Sequence, residues 1–561
     1  AKDAGVWDVS TYLDAYNACL SITLLPTLFA NILHLADPYI YKVLFQVLFA
    51  VVLIVVYLIA TTWLSNRLAF LTGFSFMAFP TFFQDMPFLV RQEVAFLFFG
   101  LMVYVLFEKS IAMSVRRTLF LLFGTGVVLA HYSTTYTVLF VLIGAYVTVT
   151  VLQVAFRVTH RYVPRCLGNL STSTLRKRVM TLPVVLTLVF VSFFWTSVVT
   201  KTDDHAQHVA QSVYSSVMGG SEGSTYSPDV FVFFSFTRVT TTHTMDGFIE
   251  DVVVTMREEF PDAYYLEDTY SGYGYELVPQ EELPKTTLGA LLGLSEVVAA
   301  SGNILSKLLQ VAILIGLIYA LCNRTWVRRF DDEMYALAVA SVIFIVCCIV
   351  VPLLSKEYGV FRAIQQSLFV LVPFMVLGLI VLGKGLAYMT EKWLTLFGFE
   401  KREVNDLTAY SYAGVIAVLF FLFSTGVMGQ LVGNNLPPVH LNNSGDDFRH
   451  YVITDAEQEA ILWLEDRLVK DMDAGTSTPL VQADRFGKKK LQSVLTTPVS
   501  GNIFPGSVQK GAYVFVNAGV LEEGVARQAY DGVVLKYTYP VEFLDNNKEL
   551  VFKNSEVRIY K

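Results

Sequence analysis

Apolar residues fall in long runs over the first three quarters of the chain. A helix needs about 20 apolar residues to cross a bilayer core of about 30 Å. Runs of that kind occur at Ile40–Thr61, Tyr136–Phe156, Leu182–Val199, Ile304–Leu321, Tyr335–Leu354, Leu368–Leu386 and Tyr410–Leu431. Three shorter runs, Leu68–Phe83, Val94–Phe107 and Leu119–Ala130, are set apart by brief polar breaks. The pattern predicts an α-helical polytopic membrane protein with nine or ten transmembrane helices, ten being preferred. The short runs are expected to be re-entrant or to end beneath the membrane surface. Leu13 to Leu35 is apolar but interrupted by Pro26, which suggests one or two helices lying on the bilayer surface or a packed core segment.

Beyond Gln430 the pattern becomes that of an ordinary soluble domain. Pro437, Pro438 and the run Asn442 to Asp447 read as a linker. Thr454 with Glu457 three residues on is a capping box at the start of a helix carrying Ala460, Ile461, Leu464 and Leu468. Short β-like runs follow at Leu480–Gln482, Tyr513–Val516, Val533–Tyr537, Leu550–Phe552 and Val557–Tyr560, with a basic helix near Lys488–Val494. Asp484-Arg485-Phe486 follows a strand, where a site could sit, and reads preferentially as a surface turn. The expected organisation is interfacial helices over 1–37, a first bundle over 38–200, an acidic loop over 201–300, a second bundle over 301–432, a linker over 433–453 and a small α/β domain over 454–561.

Composition agrees with this division. Of 561 residues, 54% are hydrophobic and 16% charged, against about 25% charge in soluble domains. The chain opens with Ala1, and its first twenty residues are polar and acidic, so no signal peptide is visible. The five cysteines, Cys19, Cys166, Cys322, Cys347 and Cys348, lie in or beside hydrophobic runs without metal-binding spacing and read as buried small apolar residues.

Lysine and arginine then orient the spans. They crowd alternate connections, through Lys109, Arg116 and Arg117, Arg157 to Arg178, Arg324 to Arg329, and Lys384 to Arg402. The short connections on the other side carry only Arg91, Lys356 and Arg362. This bias implies an integral cell (plasma) membrane protein whose N-terminus, acidic loop and C-terminal domain are extracytoplasmic. Asp246, Glu250, Asp251, Glu258 and Glu259 typify the loop, which reads as solvated chain or as a lid over an external site for a sugar or divalent cation.

The sparse ionisable residues on the outer side are the candidates for chemistry. One connection offers Asp85, Arg91, Gln92 and Glu93. A second offers His131 to Thr135. A third offers Lys356, Glu357, Tyr358, Arg362, Gln365 and Gln366. Arginine gives planar, two-pronged contacts to phosphate oxygens. A carboxylate beside it can act as base toward a hydroxyl or hold a divalent cation. Interfacial Arg and Lys also simply reach toward headgroups.

The stretches LSITLLPTLFANIL, SNRLAFLTGFSFMAFPTFF, MPFLVRQEVAFLFF and VLAHYSTTYTVLF, with the closing NNKELVFKNSEVRIYK, resemble an uncharacterised family of archaeal polytopic membrane proteins. That family is related to the GT-C superfamily of polyprenyl-phosphate-dependent glycosyltransferases. The resemblance covers roughly residues 15–160 and the last twenty or so. It implies a GT-C-like scaffold taking a sugar from a polyprenyl-phosphate carrier at the outer face and passing it to a glycan or protein acceptor. Such enzymes place an essential carboxylate in the first external loop, after a first span. No span precedes residues 1–37 here, so either spans are missing upstream or Asp3, Asp8 or Asp14 is what remains of that loop.

The resulting expectation assigns Arg91, Lys356 and Arg362 to the phosphate, Asp85 or Asp14 to the role of base or metal ligand, and His131 to orienting the donor. Membrane lipid and other membrane proteins are further expected partners; nucleic acid is not. Two rival functions are a lipid-linked glycan transporter and a non-catalytic scaffold anchoring a surface assembly.

Overall fold

The computed structural model describes residues 5–11, 15–83, 86–158, 178–202, 253, 256–257, 264–266, 286–290, 293–351, 354, 358–397, 405–433, 446–473, 480–495, 497–501, 503–530 and 533–561. The chain divides into two compact units. One holds residues 1–237 and 284–438, the other 238–283 and 439–561.

The first unit is helical. In chain order it contains α1 (Leu24–Leu33), α2 (Asp37–Thr61), α3 (Asn66–Met77), α4 (Val90–Phe107), α5 (Met113–Ala130), α6 (Tyr132–Val158), α7 (Leu182–Val199), α8 (Leu294–Cys322), α9 (Asp332–Val350), α10 (Val360–Leu396) and α11 (Asp406–Ser424). Among the described residues, nine helices, α2 and α4 to α11, are long and apolar enough to cross a membrane.

The chain also doubles back between two of these helices. Gln46, the tenth residue of α2, donates to Glu93 near the start of α4 at 3.4 Å. Trp63, just past the end of α2, meets Phe107 at the end of α4 with ring centroids 4.6 Å apart. Two helices that meet in the same order at two contacts run parallel, so the chain between them must return along their length. It does so with α3, only 12 residues long, and a single helical turn at Pro80–Phe83.

Pro26 does not break the N-terminal segment. It sits in the first turn of α1, where the missing N–H costs nothing. Pro26 and Ala30 face inward, while Leu24, Leu28 and Ile32 form an exposed stripe on the same helix. α8 begins at Leu294, ten residues before the expected Ile304, after a short turn at Thr287–Ala290. It crosses α10 at very close range. A Cβ on Gly316 would stand 1.8 Å from the Phe374 carbonyl oxygen, and one on Gly378 would stand 1.9 Å from that of Ala312. Small residues at the crossing allow the two backbones to approach, a common device where lipid supplies no hydrophobic driving force. Cys19 and Cys348 are buried as expected, but Cys322 at the end of α8 is exposed.

The second unit is α/β. It continues with α12 (Asp455–Asp473), β1 (Val481–Ala483), α13 (Arg485–Gln492), β2 (Val499–Ser500), β3 (Tyr513–Val516), α14 (Ala518–Glu523), β4 (Val525–Tyr530), β5 (Val533–Thr538), α15 (Val541–Asn547), β6 (Leu550–Lys553) and β7 (Arg558–Tyr560). Five strands form one sheet in the order β2-β1-β3-β7-β6. β1 is parallel to β2 and β3, while β7 is antiparallel to β3 and β6. β4 and β5 form a separate hairpin.

The capping box at α12 is present. Glu457 N–H donates to Thr454 Oγ1, and Thr454 N–H donates to Glu457 Oε2, both at 3.2 Å. The same Glu457 side chain, fully buried, pairs with Lys490 of α13 at 2.6 Å. Asp484 is not on a surface turn. It is 2% exposed and caps α13, accepting from the Phe486 and Gly487 amides at 3.0 Å each and from Asn517. Part of the acidic loop belongs to this unit: Tyr265 pairs with Gln509, Leu266 N–H donates to Val508 O at 3.0 Å, and Val253 joins the apolar core around Phe504 and Tyr537.

Candidate functional site

The ends of the helical unit differ, and the candidate residues lie at the end where α4, α6 and α10 begin. His131 fills the single position between α5 and α6. Its backbone N–H ends α5 by donating to Val127 O at 3.1 Å. Its ring is fixed from below by Thr134, whose Oγ1 lies 2.7 Å from Nδ1 and whose backbone N–H donates to the same nitrogen at 3.4 Å. A backbone amide can only donate, so Nδ1 is the acceptor and the neutral ring carries its proton on Nε2. Burial, and then the positive charges of Arg91 and Arg362, push the imidazole down to about 3 from its ordinary value of 6.5. His131 is therefore a neutral hydrogen-bond donor at physiological pH.

Arg91 is the second residue of α4, and Arg362 the third of α10. Both charges act on His131, which couples three candidates from three separate connections electrostatically. The Arg91 guanidinium lies over the Tyr16 ring, 3.6 Å from its centroid. Tyr16 is in turn 6.4 Å from the Tyr132 ring. The segment carrying Tyr16 is tied to the His131 turn: Leu20 N–H donates to Leu129 O at 2.8 Å, and Ser21 Oγ donates to Ala130 O at 2.6 Å. The Arg91 Nη1 is buried and has no partner among the described residues. Arg362 is exposed.

Behind the cations lies a buried polar layer. Tyr358 donates to Gln366 Oε1, and Thr81 to Gln365 Oε1. Burial pushes the Tyr358 hydroxyl well above its ordinary range, so it remains protonated. Gln46 Nε2 reaches Glu93 Oε2. Several atoms of this layer are buried without a hydrogen-bond partner among the described residues: both polar atoms of Gln92, Oε1 of Glu93, and Nε2 of Gln365 and Gln366.

Asp85, Asp14 and Lys356 lie outside the described residues, as does Asp3. Among the described residues, no group of three or more His, Cys, Asp or Glu side chains could hold a metal ion. Glu93 is the one carboxylate of this layer among the described residues. Tyr16, Gln46 and Thr81 were not singled out from the sequence. Tyr16 carried no signal, being one aromatic residue in a segment read only for its apolarity.

Fold and site together define an integral membrane protein, a polytopic helical bundle with a C-terminal α/β unit and a cationic, hydrogen-bonding cluster at one end of the bundle. A family profile described as "Predicted membrane protein (DUF2206)" matches residues 294–560. No curated protein matches the chain. Among solved structures, the archaeal oligosaccharyltransferase AglB from Archaeoglobus fulgidus, in complex with an inhibitory peptide and a dolichol-phosphate, aligns over 96% of this chain and 68% of its own, with 10% identity and a TM-score of 0.37. A likeness at that identity and score does not assign a function.

Proposed function

We propose that the chain is a GT-C-like membrane glycosyltransferase that takes a sugar from a polyprenyl-phosphate carrier and passes it to a surface glycan or protein, working at the extracytoplasmic face. The observation that carries this reading is that the charges of Arg91 and Arg362 both act on the neutral His131 ring, with Arg91 Nη1 buried and without a partner among the described residues. Arg91 and Arg362, joined by Lys356, would hold the lipid phosphate, and neutral His131 would donate to it and orient the donor. An acceptor hydroxyl would attack the sugar's anomeric carbon, the bond from that carbon to the phosphate oxygen would break, and the departing phosphate would keep the electron pair. Fixed cations favour that charge as it develops. The hydroxyl's proton would pass to a carboxylate, Asp85 or an N-terminal aspartate such as Asp14. The Lys/Arg asymmetry of the connections supports the outward orientation of this end and of the α/β unit.

The test is transfer from a labelled polyprenyl-phosphate sugar by the full chain in proteoliposomes. The wild type is expected to turn over, and the Arg91→Ala/Arg362→Ala variant to lose at least about a hundredfold while keeping its elution profile and thermal midpoint. Full turnover by the double variant contradicts the assignment. No transfer by the wild type, with a stoichiometric co-purifying protein, would favour a scaffold.

A further inference from the structure

The buried polar layer behind Arg91 is built on an aromatic floor, and the two are in register. Phe96 of α4 and Phe369 of α10 meet edge to face with centroids 5.7 Å apart. Phe76 meets Phe369 at 4.9 Å and Phe82 at 6.0 Å, and Phe82 stacks on Phe49 at 4.7 Å. Residues three or four positions apart on a helix lie one above the other. Gln92 is therefore one turn above Phe96, Gln365 and Gln366 one turn above Phe369, and Gln46 one turn above Phe49. Thr81, bonded to Gln365, directly precedes Phe82.

The unmet hydrogen-bonding capacity of this layer discriminates between ligands. Thr81 and Tyr358 occupy the Oε1 atoms of Gln365 and Gln366, which leaves each Nε2 as a free donor. Gln92 Nε2 is also a free donor, whereas Gln92 Oε1 and Glu93 Oε1 are free acceptors. Gln92, Glu93, Gln365 and Gln366 are each at most 2% exposed. A metal ion would need acceptors throughout, and an anion donors throughout. A hydroxyl group both donates and accepts and so satisfies the mixture. Leaving these atoms unfilled would cost stability at each group.

We propose that the seam formed by Gln46, Gln92, Glu93, Gln365 and Gln366 over the Phe96–Phe369 floor is a subsite for uncharged hydroxyl groups, filled by a neutral sugar on the lipid carrier and by water in its absence. The sugar assignment rests on the glycosyltransferase reading above; the hydroxyl assignment rests on the seam alone. With Glu93 its one described carboxylate and no cation within it, the seam would discriminate against acidic sugars.

The test titrates the full chain in nanodiscs, read by native mass spectrometry, with a polyprenyl phosphate and with the same lipid carrying one neutral hexose. The hexosyl lipid is expected to bind at least about tenfold more tightly, because a site built to bond hydroxyls penalises their absence. Gln92→Met with Gln365→Met is expected to erase this preference while keeping the affinity for the bare lipid. The single Gln92→Met variant, expected to weaken the preference, serves if the double variant does not fold. A preference that survives substitution overturns the sugar assignment. If the wild type binds neither lipid, the phosphate reading fails instead, and the seam is judged by radiolytic hydroxyl footprinting of the ligand-free chain. Labelling of Phe96 and Phe369 that the variants lose supports a hydroxyl-filled seam. An unlabelled wild-type seam overturns it.

Discussion

The two ends of the helical unit handle polar side chains in opposite ways. Where α4 ends and α9 begins, groups are paired. Lys109 meets Asp331 at 2.9 Å, Arg178 lies 4.0 Å from Asp332, and Met180 N–H donates to Glu333 at 3.0 Å. Arg116 and Arg117 are spent on backbone carbonyls, Arg116 on Val105 and Leu106 at the end of α4, and Arg117 on Arg178. Where α4, α6 and α10 begin, Arg91, Gln92, Glu93, Gln365 and Gln366 keep buried atoms without partners among the described residues. A chain that closes one end this thoroughly is able to satisfy polar groups. The unmet capacity at the other end supports the proposed site, since buried polar groups left unpaired cost stability and persist where something else fills them.

Substitutions at each end can break this contrast. The largest effect is expected from Arg91→Ala with Arg362→Ala, which should remove about a hundredfold or more of transfer and leave the thermal midpoint in place. Arg116→Met should do the reverse. It strands two helix-end carbonyls, so a loss of about 1–3 kcal/mol is expected, read by denaturant or thermal unfolding in detergent, with transfer at permissive temperature unchanged. An Arg116→Met protein as stable as wild type would show that the paired end does not hold the bundle.

The pH response is expected to be smaller and to have a definite sign. His131 is pushed down to about 3 when folded and returns to about 6.5 when unfolded. Between those values the unfolded chain binds more protons, so stability declines as pH falls from about 6.5 toward 3 and is regained on raising it. Thermal midpoints measured across that window should flatten in His131→Asn. The smallest effect belongs to Gln92→Met, which removes buried atoms that have no protein partner. Its stability should stay within about 1 kcal/mol of wild type, whereas Gln365→Met, which strands the Thr81 hydroxyl, should be less stable than Gln92→Met in the same assay.

Spans could be read from hydropathy because a bilayer imposes one length and one polarity on every crossing. α3 was harder, because its 12 residues are too few to stand out as a span. In the α/β unit, β1, β3, β5, β6 and β7 follow runs of β-branched and aromatic residues. β2 is two residues long, and β4 (VARQAY) carries Arg527 and Gln528 in its middle, so neither announces itself. Asp484 was misplaced because an N-cap and a surface turn share the same local sequence, and only its bond to Asn517, 33 residues on, makes it interior.

The candidate residues were legible as three polar connections, and the charges of Arg91 and Arg362 act on His131. What the sequence could not show is the company they keep. Tyr16 reaches Arg91 from 75 residues away, and Gln46 reaches Glu93 across two parallel helices. The mixture of free donors and acceptors exists only once Thr81 and Tyr358 have taken their share of the glutamine oxygens.

The most direct measurement is binding of a bare polyprenyl phosphate to the purified full chain in nanodiscs, wild type against Arg91→Ala/Arg362→Ala. Saturable binding that the double variant loses, with both proteins equally folded, is the predicted result. Equal binding by both would mean that the cationic end does not hold the phosphate, and the account of the site would be wrong.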